Sequence, residues 1–593
     1  MRFFVFLVFF LISSLCYSDE NPIIVTPERG IRNYFSEFST GTVFTEEDIE
    51  RSGAQTLVDI LRFAPEVSVN SNGPFGKASS IFLRGTNNRH TLILVDGVRV
   101  TDVTSISGGA RPEFLDLSNV ESIEILKGSR GVLYGSEAMG GVIKIKTKSS
   151  DKVKTKLRLD LGSFESKGVS LTHQNNQDKW ESRTSALYRN VEGVSAFALG
   201  SEKDGFENIK LNHSLGRNIT DNDRVQLDSS IEISNSEFDD FNGDNFDNKS
   251  SYQALRASLI YEKEGGTLWN PKIVASVQEV ERDVKTSFNN NISFFDYEAS
   301  FREVEVNNAF KFNNFSSLIA GLNYELEDVD ELDTDIDVNK KRERRAAFAN
   351  TRVNYNSLIV DFGLRYEDSQ FNRGNTLYQF SFSKSYGGFE LRGNVGTGFK
   401  LPSLYQSFSI YGNDNLLAEK SKSKDLSLLY GLKNINLEVT YFEIQIENLI
   451  DYDLLTNQYF NLGELDNRGV EFNLRASLEN FNLGLSGTLS NPVNSQTKEY
   501  AVRRPRKRFN ASFNYNISDS YFAGISGNYV GERNDNDGSR LPSYLIFNTN
   551  LNYSIGDYRT SFFINNLLDK EYQEIRNYTS LGRNILISLS KEW

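Results

Sequence analysis

From residue 153 to the chain end, apolar and polar residues alternate in segment after segment. "KTKLRLDLG", beginning at Lys154, sets Leu157, Leu159 and Leu161 against Arg158 and Asp160. The same two-residue period recurs in "VQLDSSIEIS", "NLEVTYFEI", "GVEFNLRASL", "FNASFNYNI" and "LIFNTNLNYSI". Alternation at 180° per residue gives a strand one apolar and one polar face. Beyond the N-terminal segment there is no run of about 18 apolar residues, so a membrane-spanning helix is excluded there. If such a chain enters lipid it does so as a closed β-barrel, which satisfies its own backbone polar groups. A soluble β-sandwich or propeller shows the same local alternation.

Three features favour the barrel: no repeat of fixed period, a mean hydropathy of −0.44, and the final segment. In "GRNILISLSKEW", Ile585, Ile587, Leu589 and Trp593 share one face, interrupted only by Lys591. The 27 Tyr and 43 Phe suit aromatic girdles at the two bilayer interfaces. Long polar stretches such as "SNSEFDDFNGDNFDNKSS" and "LEDVDELDTDIDVNKKRERR" are expected as extracellular loops, and short ones such as "LGSFESKG" as periplasmic turns.

The first residues, "MRFFVFLVFFLISSLCYSDE", place Arg2 before an apolar run and then small or polar residues, so residues 1–18 read as a secretory signal. The single cysteine, Cys16, falls inside it, and the exported chain is expected to hold no disulfide. A net charge of −14 argues against a nucleic-acid partner.

Residues 41–150 have a different texture. "TEEDIERSGAQTLVDILRFAP" predicts one small packing helix, with Ile49, Leu57, Ile60 and Leu61 on its apolar side. Glu46, Glu47 and Asp48 crowd its first turn, and Pro65 ends it. "HTLILVDGVRV" predicts a hairpin turning at Asp96-Gly97, and residues 123–126 and 142–145 a second hairpin around a glycine-rich stretch. There is no GxxxxGK[ST] phosphate loop. The three histidines, His90, His173 and His213, show no metal-ligand spacing, and catalysis is not expected.

Four blocks in order, "NPIIVTPER", "FTEEDIERSGAQTLVDILRFAPEVSV", "IFLRGTNNRHTLILVDGVRV" and "VESIEILKGSRGVLYGSEAMGGVIKIKT", resemble the plug of TonB-dependent outer-membrane receptors. The resemblance implies an all-β transmembrane barrel of about 22 antiparallel strands, a lumen filled by an N-terminal α+β plug, and a monomer among outer-membrane lipid and lipopolysaccharide. It divides the chain into the signal (1–18), an N-terminal segment (19–40), the plug (41–150) and the barrel (151–593). Pro22, Ile23, Ile24, Val25 and Thr26 resemble the TonB box, a β-prone segment that adds as a strand to TonB. Uptake would then draw its energy from the inner-membrane TonB complex. Arg84 and Arg130 would anchor the plug to Glu471. Where many receptors read Arg-Gly-Pro, this chain has Lys127-Gly128-Ser129, which alters one anchor.

Within that family the chain resembles in particular the cobalamin (vitamin B12) receptors, through "EVSVNSNGPFGKASSIFLRG", "TGFKLPSLYQSFSIYGNDNLLAEKSKS" and "NRGVEFNL". That likeness implies ligand contacts from Asn72, Gly73, Phe75, Lys77, Ser79 and Ser80 in a first apical loop, and from Thr101, Asp102, Val103 and Thr104 in a second. Phe75 and Lys77 depart from the small residues usual there. "SEKDGF" resembles a calcium-binding stretch, in which Glu202 and Asp204 would join Asp239, Asp240, Asp244 and Asp247; the other reading is a solvated acidic loop. A ferric siderophore is the competing ligand. Haem is disfavoured because residues 399–417 contain no histidine, and an uncoupled porin or adhesin would need neither plug nor TonB box.

Overall fold

The computed structural model describes residues 41–593 except 150–152, 241–242, 245–246, 267, 289–290, 334–335 and 373. The expected signal and TonB box lie outside the described residues.

Twenty-two antiparallel strands form a closed barrel, joined by a two-residue strand, Val493–Asn494. Closure pairs the last strand, Asn584–Glu592, with the first, Lys154–Gly162, in the register Leu589↔Leu159. The period-2 pattern becomes two surfaces. Leu159, Leu161, Val169 and Leu171 are exposed on the outside, while Ser170, Thr172 and Gln174 are buried inside. An apolar outer face and a polar lumen suit a wall whose outer solvent is lipid. Near one rim the outer face carries Trp180, Trp269, Tyr355, Tyr521, Tyr558 and Trp593, all exposed, as an aromatic belt. The turns there are short. Asn356 and Ser357, at φ of 49° and 59°, join two strands in the left-handed conformation that matches hairpin twist.

Two loop expectations are corrected. Thr155 N donates to Trp593 O, so the first strand starts at the short-turn rim. Since strand direction alternates, the turn within "LGSFESKG" lies at the opposite rim, with the long loops. "LEDVDELDTDIDVNKKRERR" is mostly strand: Ser316–Asp333 and Ile336–Tyr355 pair through Asp333↔Ile336. Strands of 18 and 20 residues exceed the roughly 9–11 that cross a bilayer, so this hairpin stands well beyond it.

Inside sits the plug. Its five-stranded sheet runs Gly41–Thr45, Val120–Lys127, Gly141–Thr147, Thr91–Val95, Val98–Val100 from edge to edge, with the third and fourth strands parallel. Asp96 and Gly97 take φ of 49° and 83° in the predicted hairpin turn. Val67–Ser71 and Ser79–Leu83 form a separate two-stranded ribbon that projects the first apical loop.

The single predicted helix is two, Glu46–Ser52 and Leu57–Leu61. Gly53 at φ 69° ends the first, and Thr56 caps the second by accepting from Asp59 N while Asp59 accepts from Thr56 N. Leu57, Ile60 and Leu61 are fully buried against Ile123, Ile125 and Ile143 of the sheet. A further short helix, Gly131–Tyr134, sits inside the glycine-rich stretch.

Candidate functional site

The plug meets the barrel wall from Ser316–Asp333 round to Gln458–Leu478 through buried charges. Arg84 lies at the end of the apical ribbon with φ 50° and a side chain fully shielded from solvent. Its Nε and Nη2 each donate to Glu471 at 3.0 Å, its Nη1 donates to Asp425 at 2.5 Å, and its guanidinium lies 4.5 Å from the Phe442 ring centre. Burial works against the charge on Arg84, and Glu471 and Asp425 more than reverse it. Lys127 Nζ is 3.1 Å from Glu471, so the altered anchor keeps a point charge where a forked donor was expected. Ser129 N donates to Ser423 Oγ at 2.7 Å. Arg130 does not reach Glu471; its Nη1 donates to Asn394 Oδ1 at 3.1 Å.

Two further clusters on this wall have no counterpart in the sequence reading. Arg89 forks onto Glu419 at 2.6 and 2.9 Å, and His90 Nε2 is 2.9 Å from the same carboxylate. Burial pulls the His90 pKa down despite Glu419. The neutral ring fits: Nε2 donates to Glu419 while Nδ1 accepts from Asn87 N. His90 therefore ties plug to barrel. Arg99 lies 3.3 Å from both Glu137 and Glu325, and Lys400 2.9 Å from Glu137. Strand alternation puts Glu325 and Glu419 in the lumen, where the folded plug brings Arg99 to the first, already paired with Arg344 of the wall, and Arg89 to the second; Glu137 belongs to the plug and takes its cation, Lys400, from the wall.

At the long-loop rim the apical loops are packed, not open. Lys77 is 2% exposed, and its Nζ donates to the carbonyls of Asp204, Gly205 and Phe75 at 3.1–3.2 Å. Burial pulls its pKa down to about 8, while Asp204, Glu237 and Asp239 oppose the shift. Phe75 lies 5.9 Å from Phe164, and a Cβ on Gly73 would meet Ala196. Ser79 Oγ is 2.8 Å from Ser71 Oγ, Ser80 is half-buried opposite Asn70, and Asn72 N donates to Ala78 O. In the second loop Asp102 pairs with Arg111 at 2.5 Å, the carbonyl of Thr101 accepts from Gln278, and that of Thr104 accepts from Arg282 at 2.8 Å. Val103 packs beside Leu404 and Phe408. The ten residues thus lie at one end of the lumen, beneath barrel loops.

Of the six acidic residues, Glu202, Asp239 and Asp244 come together, each offering a carboxylate oxygen within 4.8 Å of the others. Asp204 is beside them and accepts from Ala196 N at 2.6 Å. Burial and the neighbouring carboxylates push Glu202 up to about 8; burial first, then Asp239, pushes Asp204 up to about 7. Asp247 turns instead to Lys285 at 2.8 Å, and Asp240 is outside the group of three. Oxygen-only donors of this kind suit a hard cation such as calcium.

Comparisons with known proteins fit this geometry. The family model described as "TonB dependent receptor-like, beta-barrel" matches residues 148–567, and the "TonB-dependent Receptor Plug Domain" matches residues 37–142. The vitamin B12 transporter BtuB of Vibrio vulnificus is 28% identical over 591 residues, covering 95% of this chain and 94% of that protein. The transporter of the same name from Vibrio cholerae is 28% identical over 606 residues, covering 97% and 96%. Among solved structures, the siderophore receptor PirA of Acinetobacter baumannii superposes with a TM-score of 0.84 at 18% identity, covering 96% of this chain and 100% of that one. The FrpB iron transporter of Neisseria meningitidis gives 0.80 at 14% identity, covering 94% and 100%.

Proposed function

Since this chain belongs to the TonB-dependent receptor family and its barrel places it in the bacterial outer membrane, we propose that it captures cobalamin or a related corrinoid at the long-loop rim and imports it into the periplasm. The family consists of receptors and transporters, and energy for import comes from TonB engaging Pro22, Ile23, Ile24, Val25 and Thr26. The observation that carries the ligand is similarity to vitamin B12 transporters along nearly the whole chain. The site fits: Asn72, Gly73, Phe75, Lys77, Ser79 and Ser80 with Thr101, Asp102, Val103 and Thr104 lie under loops that must lift for a ligand to reach them. Calcium at Glu202, Asp239 and Asp244, with Asp204 beside them, would order the loop covering Lys77.

Cyanocobalamin titrated into purified receptor, with calcium or with chelator, tests this. Binding that tightens with calcium is expected; no binding in either condition refutes it. Deleting residues 22–26 should stop import and leave surface binding intact. A ferric siderophore is the second reading, favoured by the fold shared with PirA and FrpB, and it predicts saturable binding of an iron chelate instead.

A further inference from the structure

Between the plug and the barrel strands Lys507–Asn516, Tyr521–Val530 and Tyr544–Ile555 lies a cavity of about 260 Å³. Asn528 and Asn548 line it from this asparagine wall, and Pro74 and Phe75 of the first apical loop line it from the plug. Arg508, Val530 and Tyr544 form one rung of the wall, through the registers Arg508↔Val530 and Val530↔Tyr544, and all three border the cavity. Arg533 reaches the same place from the short strand Arg533–Asn534, its guanidinium 5.4 Å from the Tyr544 ring centre. Tyr572 packs on that ring at 4.4 Å.

Two buried guanidinium groups are only half used here. Arg508 and Arg533 are 6% and 5% exposed. Arg508 Nη2 donates to Arg62 O at 3.2 Å, and Arg533 Nη2 donates to the carbonyls of Gln573 and Glu574 at 2.7 and 3.2 Å. The Nη1 of each has no hydrogen-bond partner among the described residues. The neighbouring carboxylates are committed elsewhere. Glu574 accepts both bonds of the Arg62 fork, at 3.1 and 2.9 Å, and a third from Ser71 N at 3.1 Å. Asp59 caps its own helix through Thr56 N. Glu66 attracts Arg508 but makes no hydrogen bond with its Nη1.

A buried cation that lacks an acceptor is costly, and a guanidinium fork matches the paired oxygens of a carboxylate or phosphate. The cavity has room for such a group together with its water, since one water needs only about 10–15 Å³ of such space. We propose that Arg508 and Arg533 hold a compact oxyanion, a phosphate or carboxylate group, between the asparagine wall and the apical ribbon. The oxyanion is either free in solution or an arm of the captured solute, such as the phosphodiester of cobalamin, because the first apical loop borders the same cavity. The tethered source rests on the function proposed above; the site does not.

Radiolabelled inorganic phosphate is dialysed to equilibrium against purified receptor in chloride buffer, for the parent chain and for Arg508→Gln and Arg533→Gln. Saturable binding of one phosphate is expected, weakened about tenfold or more by each substitution. Heat-modifiable migration on gels identifies the variants that fold. Hydrogen exchange of the parent chain with and without phosphate needs no variant. Phosphate should slow exchange at residues 62–71 and 572–574 and leave residues 123–147 unchanged. Absence of saturable binding, undiminished binding in both folded variants, or exchange at residues 62–71 that ignores phosphate overturns the site. Displacement of bound phosphate by cyanocobalamin, but not by cobinamide, which lacks the phosphodiester, assigns the site to the solute. Phosphate that stays bound in the presence of both corrinoids assigns it to a free anion.

Discussion

The two sides of the lumen hold the plug by different chemistry. From Ser316–Asp333 round to Gln458–Leu478, the wall offers Glu325, Glu419, Asp425 and Glu471 to plug cations at 2.5–3.3 Å. From Lys507–Asn516 to Tyr544–Ile555 it offers mainly amides, and the ion pairs of the plug's first segment come from beside these strands, Arg62 with Glu574 at 2.9 Å and Glu50 with Lys156 at 2.5 Å. Asn510 Nδ2 donates to Phe63 O at 2.6 Å, Arg508 to Arg62 O at 3.2 Å, and cavities fill much of the remainder. A buried charge left alone is costly, so the first side resists separation; a neutral amide trades one partner for another at little net cost. A plug that must both seal and yield is thus held by a dense set of buried ion pairs at one side and by fewer of them, with more cavity between, at the other.

The sharpest way to break this contrast is Arg84→Ala. It leaves Asp425 without its cation and Glu471 with Lys127 alone, and should destabilise the plug by about 3–5 kcal/mol in denaturant melts of the purified receptor. A loss no larger than that of a surface substitution would remove the distinction between the walls. Lys127→Ala should cost about 1.5–3 kcal/mol, because Glu471 keeps both bonds from Arg84.

At the rim the clustered carboxylates should make the loop cover pH-dependent. Glu202 and Asp204, raised to about 8 and about 7, hold more protons folded than unfolded between their ordinary values and these. Their contribution is therefore present at low pH and lost as pH rises through about 7 to 8. Protease cleavage within residues 192–205 should be faster at pH 8 than at pH 5, and calcium should slow it at pH 8. Pace independent of pH would contradict the clustering of these carboxylates. The smallest effect is expected from Asn510→Ala on the amide wall: about 0.5–1.5 kcal/mol in the same melts, with a tighter plug on the charged side left intact.

Much of this architecture is legible in the residues. Two-residue alternation dictates strands with one apolar and one polar face, the final amphipathic segment favours closing them into a barrel, and Asp96-Gly97 dictates its hairpin. Gly53 and the Thr56–Asp59 capping box are also written in the sequence, yet periodicity of the apolar residues on both sides masks the break between two helices. Strand direction escapes a local reading, because the rim a turn occupies depends on counting strands from the closure at Trp593. The charged clusters were half visible. Arg84 and Glu471 stand out through family resemblance, whereas His90 with Glu419 joins positions 329 residues apart by tertiary packing alone. The ten apical residues gather at one place, but their burial beneath residues 192–205 follows from Lys77 finding carbonyls that no pattern announces.

Hydrogen exchange along the plug of the intact receptor tests the contrast between the walls most directly. Amides of residues 46–63, beside the asparagine wall, should exchange about tenfold faster or more than those of residues 81–95 and 123–147, behind the charged clusters. Equal protection across the plug, or slower exchange in residues 46–63, would contradict it.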